Sequence, residues 1–302
     1  MGIYVNNSSI PALKINNPII PSGTLPINAG GIYNIYSYNS ISVDIQDLLD
    51  VRLTSTLNIS EYTDLSASKI NMAAFISCST IQRVNMPNVI YIYSSAFRGC
   101  NNLTSAYFPS CKYMGGNIFT YCYSLSEIYL PVCSYFAGGN FSYCSNLVSV
   151  NLPELTVING NYCFAYCSKL QYVSLPKVTN LNNYAFAGCS SLTSVYIPVA
   201  PIIGDNCFSG CYNLSTISLT SASSIRQAAF SKCYNLLSVY LNVSSVTALS
   251  NVNAFISTPI SDYTTSTGGV YGSIFVPTSL YSSFISATNW ATYSSRIVSM
   301  NF

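Results

Sequence analysis

Along the middle of the chain, apolar and polar residues recur in a fixed order. The stretch AFAGCSSLTSVYIP, residues 185–198, holds one full round: a phenylalanine, a cysteine three places on, an aliphatic residue three further, then an apolar pair alternating with polar residues, and a closing proline. The phenylalanines fall at Phe75, Phe97, Phe119, Phe141, Phe164, Phe186, Phe208 and Phe230, in steps of 22, 22, 22, 23, 22, 22 and 22. The cysteines follow at Cys78, Cys100, Cys122, Cys144, Cys167, Cys189, Cys211 and Cys233, and the aliphatic column runs from Ile81 and Leu103 to Leu214 and Leu236. Alternation at period two, as in Val150 with Leu152 or Val195 with Ile197, predicts a strand buried on one face. Proline has no amide proton to give a ladder, so Pro87, Pro109, Pro131, Pro153, Pro176 and Pro198 end their strands and turn the chain. Five places after the proline position an apolar residue returns, at Ile92, Met114, Phe136, Ile158, Leu181, Ile203 and Ile225, and should line the opposite wall of the same core.

A period of about 22 residues marks stacked units, none of which can bury its apolar face alone. The predicted fold is therefore a solenoid, β-rich, with one parallel strand per repeat. The pattern AFxxCxxLxxVxLP resembles the BspA-like leucine-rich repeats of bacterial surface proteins, over roughly residues 70 to 260. That resemblance implies a leucine-rich-repeat solenoid capped at both ends, α/β in the usual classification of such repeats. Thr220 and Asn242 stand where proline is expected, so the last two turns should differ.

The chain has 12 cysteines. Equivalent residues of successive coils should lie one strand spacing apart, roughly 4.7–4.9 Å, which makes the eight periodic thiols an internal column. Cys111 and Cys133 share a column with Val89, Leu155 and Val178, while Cys163 and Cys207 replace the alanine before phenylalanine. All twelve fit packing positions, where free cysteine acts as a small apolar residue with a weak donor. The C-x-x-x-C pairs Cys163/Cys167 and Cys207/Cys211 are the metal or redox alternative, but histidine is absent and the pairs lie two repeats apart. Stacked thiols facing one way are poorly placed for a bridge, so free, buried sulfur is expected, with no metal and no cofactor.

The ends differ from the middle. Residues 1–50 carry Pro11, Pro18, Pro21, Pro26 and the pair Gly30/Gly31, and read as an N-terminal β-type arm or attachment module. Its segment 21–45 is similar to a short β module often encoded in bacteriophage and prophage structural proteins. Residues 51–260 form the solenoid with its N-terminal cap; DIQDLLDVRL, residues 44–53, is expected to begin that cap as a helix. The nearby Asp44, Asp47, Asp50, Glu61 and Asp64 lack the glycine and terminal glutamate of an EF-hand calcium loop. Residues 261–302 form the C-terminal cap: a turn at Gly268/Gly269, a strand over SIFVP (273–277), a short helix capped by Thr278 or Ser279, and Trp290 as a plug. This last segment resembles C-terminal segments that accompany such repeats in gut-associated bacterial proteins.

Composition narrows the function. Charged residues make up 7% of the chain against 26 tyrosines, so Ser, Asn, Thr and Tyr must form the surface, a composition commoner outside cells. Net charge is +2 with no basic run, which removes the footprint of nucleic-acid binding. Apolar runs are far short of the roughly 20 residues of a membrane-spanning helix, so no membrane insertion is expected. The N-terminus lacks a secretory signal pattern, so a location on a bacterial surface requires a signal removed from this chain, while a phage virion requires none. Without histidine or a phosphate loop, conventional hydrolase chemistry lacks its groups; Glu127, Glu154 and Asp205 are the repeat region's carboxylates for a glycosidase pair and occupy different columns. Binding without catalysis is the expectation. Outward strand positions offer Arg83, Glu127, Tyr107, Tyr129, Tyr172, Tyr196 and Tyr240, and Tyr121, Tyr143 and Tyr166 form a stripe beside the cysteine column. Tyrosine gives large contact area at low entropy cost, suiting a host or bacterial surface protein or a glycan. The structural alternative is a rigid spacer or homo-oligomer with the tyrosines between subunits.

Overall fold

A computed structural model describes residues 3–5, 8–10, 60–65, 67–261 and 270–302. Ile3–Val5 and Ser8–Ile10 pair antiparallel. The rest of residues 1–50, the helix expected over 44–53 and the turn at Gly268/Gly269 lie outside the described residues. From residue 60 onward the chain is a parallel β-solenoid, as the repeat demands.

The first strand ladder is built from three-residue strands one period apart. Arg83–Asn85, Ser105–Tyr107 and Glu127–Tyr129 pair in parallel, with Val84 opposite Ala106 and Ala106 opposite Ile128. Middle residues point inward: Val84, Ala106, Val150, Val173, Ile217 and Val239 are buried, and Ile128 and Val195 pack partly buried against the same core. The return segments form a second ladder that the repeat pattern leaves unannounced. Tyr91–Ile92, Tyr113–Met114, Tyr135–Ala137 and Val157–Asn159 pair in parallel, so each of these coils has two strands where one was expected. Strands of two or three residues, each with a single buried member, are too short for alternation to show in sequence. Their inward members Ile92, Met114, Phe136 and Ile158 do line the opposite wall.

The third side of each coil is the turn carrying the phenylalanine. From Phe75 to Phe255 the rings form one buried stack, with successive centroids 4.9 to 5.5 Å apart. Beside it runs the cysteine column, and all twelve cysteines are buried and free. The thiol's weak donor is used: Sγ of Cys122, Cys144, Cys167 and Cys189 donates to the carbonyl of Phe97, Phe119, Phe141 and Phe164, each in the preceding coil, at 3.0 to 3.1 Å. Alanine would leave a small void and that contact unmade.

The single 23-residue step has a visible cause. Phe136 to Ile158 spans 22 residues and Phe141 to Phe164 spans 23, so the additional residue lies between Ile158 and Phe164. It is taken up at Gly160, whose φ is +141°, and a Cβ there would lie 2.7 Å from Gly138 Cα. Glycine is needed for both the dihedral and the close approach. The turn at Thr220 also departs from its neighbours: where Val178 N–H bonds to Leu175 O in a proline turn, here the hydroxyls of Thr220 and Ser221 donate to Pro198 O at 2.7 and 2.8 Å.

At the C-terminal end, Ser273–Pro277 extends the first ladder beside Ser238–Tyr240, and Ile297–Met300 adds a further parallel strand. Between them lie a 3-10 turn (Thr278–Leu280), an α-helix (Tyr281–Ser286) and a 3-10 stretch (Trp290–Arg296). The expected helix cap is corrected: neither Thr278 nor Ser279 caps it, because the chain enters through the 3-10 turn and Thr278 Oγ1 donates to Asn301 instead, at 3.0 Å. Trp290 is fully buried over the last coil. Its ring meets Phe284 edge-on at 5.4 Å, and its Nε1 donates to Thr247 O at 2.6 Å.

Candidate interaction surface

The sequence-derived site residues divide among separate columns. On the first ladder, Arg83, Glu127 and Tyr172 hold one outward position, and Tyr107, Tyr129, Tyr196 and Tyr240 the other. Arg83 is occupied by Glu61, Nε to Oε1 2.6 Å, an exposed pair of small energetic weight. Glu127 faces outward beside Ser105, and Glu154 pairs with Lys177 at 2.7 Å. Asp205 Oδ1 accepts from Gln227 N–H at 3.1 Å, so Glu154 and Asp205 each already have a partner. Tyr107 and Tyr129 stack at 4.8 Å, and Tyr240 stacks on Phe275 at 4.7 Å. Tyr172 lies between Ser149 and Ser194 of the adjoining coils, and Tyr196 follows Ser174.

Tyr121, Tyr143 and Tyr166 do come together, on the turn side of the coil. Their centroids are 5.1 and 4.6 Å apart. All three have left-handed backbone, φ 62° to 65°, where Gly99, Gly188 and Gly210 stand in other coils. A bulky residue there is an outlier, at a cost of roughly 1–2 kcal/mol each. The stack has a neighbour at each end. Arg98 lies over the Tyr121 ring, guanidinium carbon to centroid 5.6 Å, and Gly188 is so close to Tyr166 that an added Cβ would stand 2.6 Å from its Cδ1. With the faces partly occupied, Tyr143 and Tyr166 still stand 36% and 43% exposed, and much of what they present outward is phenol edge and hydroxyl.

Two further tyrosines belong to this patch and escape a reading keyed to the cysteine column. Tyr162 and Tyr184 stack at 4.6 Å two residues before the phenylalanine, at a second left-handed position held elsewhere by Ala73, Ser95 and Asn117. Tyr123 also touches Tyr121, at 6.1 Å. The Tyr143 phenol is pushed above its usual pKa, first by partial desolvation and then by the phenols of Tyr166, Tyr121, Tyr123 and Tyr162. On the second ladder Tyr91 and Tyr113 stack at 5.0 Å, so tyrosine pairs occur on all three sides of the coil.

The thiols are the opposite of a reactive site. Burial pushes Cys163 and Cys189 up to about 12, from an ordinary value of 9.0. The unfolded chain releases these protons above pH 9 while the folded chain keeps them, so stability is complete below pH 9 and falls as pH rises toward 12. Each of the two thiols should cost about 2 kcal/mol near pH 10.5. Urea midpoints at about pH 8 and pH 10.5 measure this; equal midpoints would contradict it.

The parallel ladders, the coil period and the buried phenylalanine and leucine columns define a leucine-rich-repeat solenoid. The chain belongs to the BspA type leucine rich repeat family, whose profile matches residues 54–171 and 156–270. It is similar to a leucine-rich repeat protein from Bacteroides ovatus, at 20% identity and a TM-score of 0.54, covering 81% of this chain and 67% of that one. A T. pallidum leucine rich repeat protein, TpLRR, matches at 27% identity and a TM-score of 0.48, over 52% of this chain and 78% of its own. The pneumococcal vaccine antigen PcpA matches at 13% identity and a TM-score of 0.35, over 82% of this chain and 79% of its own. No curated protein matches the sequence. The family is one of repeat proteins, usually non-enzymatic, and no helix among the described residues is long and apolar enough to cross a membrane.

Proposed function

We propose that this solenoid recognises a protein partner through the tyrosine patch on its turn side, and that it works outside the cell, on a bacterial surface or on a phage tail. The observation that carries this reading is the stack of Tyr121, Tyr143 and Tyr166. A sugar ring packs on the open face of an aromatic ring, and here Arg98 and the neighbouring rings occupy part of those faces while Gly188 lies against the Cδ1 edge of Tyr166. Edges and hydroxyls make up much of what remains, a rigid amphipathic surface of the kind that makes protein contacts with little loss of side-chain freedom. Family members are typically cell-surface or secreted, which agrees with the charge-poor, tyrosine-rich composition.

Changing Tyr121, Tyr143 and Tyr166 together to glycine tests it. Glycine relieves the left-handed backbone cost of roughly 1–2 kcal/mol per residue, against a stacking loss of about 0.5–1.5 per pair, so the variant should melt within a few degrees of the parent. Binding to intact gut epithelial and bacterial cells should be lost in the variant, and lost by the parent once the cells are shaved with protease. Retained binding after shaving, together with capture on a glycan array, would overturn the protein reading. A large drop in melting temperature would assign the stack to structure, as in a spacer or oligomer.

A further inference from the structure

One outward position of the first strand side carries rings at Tyr107, Tyr129, Tyr196, Tyr240 and Phe275, interrupted at Asn151, Ser174 and Ser218, and of these three only Ser218 has a ring on each side. Tyr240 stacks on Phe275 with planes 11° apart, so its second face looks back along the column. The place next to it is exposed Ser218, its direct partner across the ladder. One period earlier stands Tyr196, at 52% the most exposed tyrosine among the described residues. Where adjacent coils both carry rings at this position, Tyr107 and Tyr129 stack 4.8 Å apart with planes 4° apart. Tyr196 and Tyr240 lie two coils apart, the strand of Ser218 pairing with that of Tyr240 but not with that of Tyr196, and the same coils are spaced 5.3 and 5.4 Å at their buried rings Phe186, Phe208 and Phe230. That leaves room for one flat ring at ordinary stacking distance from each, about 4.5–7 Å between centroids.

We infer that the gap over Ser218 between Tyr196 and Tyr240 receives a single aromatic side chain, tyrosine or phenylalanine, from the protein partner. The inference rests on the protein-recognition reading but concerns a different face. The column's own rung is a tyrosine, so an incoming phenol or phenyl ring repeats a geometry the fold already uses. Around the gap stand Ser194, Thr216 and Ser238 on one side and Pro198, Thr220 and Asn242 on the other, with no charge, no carboxylate and a single amide to pair with the many hydroxyls of a sugar. A flat apolar ring needs no such partners, and a phenol needs one, which solvent or a hydroxyl supplies. Phe275 holds Tyr240 in place beforehand, which lowers the ordering cost of closing a ring against it. Buried aromatic anchors of this kind dominate protein interfaces.

The test is an NMR titration of the full chain, carrying ring-labelled tyrosine, with N-acetyl-tyrosinamide and, in parallel, methyl β-glucopyranoside. The tyrosine amide should shift the Tyr196 and Tyr240 ring signals saturably and the glucoside should not. Ser218→Tyr should fill the gap, keep the protein folded and weaken the amide at least tenfold; Tyr196→Ala should do likewise by removing one wall. Saturable shifts with the glucoside alone would make this a sugar site and overturn the inference. No shift with either probe would also overturn it, as would undiminished shifts in Ser218→Tyr. Failure here leaves cell binding through Tyr121, Tyr143 and Tyr166 standing, and loss of that binding leaves these titrations unchanged.

Discussion

Replacing Phe164 by alanine is expected to lower the unfolding free energy by about 3–5 kcal/mol, the usual cost of emptying a large aromatic site in a packed core. Phe164 is fully buried and stacks on Phe141 and Phe186, at 5.3 Å to each, so the vacancy removes two ring contacts at once. In a stack of coils each unit touches only its neighbours, and an interior break weakens both of its interfaces. Urea unfolding followed by circular dichroism should show a lower midpoint or a split into two transitions. Phe164→Leu, which keeps most of the volume, should lose less. A loss under about 1 kcal/mol in the alanine variant would mean the ring column is incidental to stability.

The second large effect is at the C-terminal end. Trp290→Ala should cost about 3–5 kcal/mol through lost packing against Phe284 and Phe255, with about 1–3 more from the buried Thr247 carbonyl left without its donor. Trp290→Phe keeps an aromatic plug but not the Nε1 bond, so the difference between the two variants separates packing from hydrogen bonding. Because this residue covers the last coil, the damage should start there: amide exchange should quicken first around Leu249 and Phe255 and leave Phe119 protected. Uniform loss of protection along the chain would contradict an end cap.

The buried columns were legible because a coil must place one residue of each type at each inward position: Phe97, Cys100, Leu103 and Ile92 repeat for that reason, and all are buried. The second strand ladder was not, since pairs such as Tyr91–Ile92 are too short to show alternation. Tyr162 and Tyr184 were missed because their column is otherwise filled by small residues, so no single letter marks it. The left-handed backbone of Tyr121 was also invisible, because tyrosine does not signal positive φ as glycine does. The candidate tyrosines were correctly read as outward, yet which of them meet depends on the coil's corners, and sequence gives columns without corners. The helix cap assigned to Thr278 or Ser279 failed for a local reason, a 3-10 turn inserted ahead of the helix.

The left-handed column beside the cysteines holds serine at Ser77, glycine at Gly99, tyrosine at Tyr121, glycine again at Gly188 and lysine at Lys232, all with φ between 57° and 75°. Five residues of four kinds in one conformation mean that the coil, not the residue, dictates the backbone there. For an evolving gene this is a site where the letter can change while the scaffold stays fixed. A lineage can rewrite what its outer surface says, one coil at a time, without first solving the folding problem again.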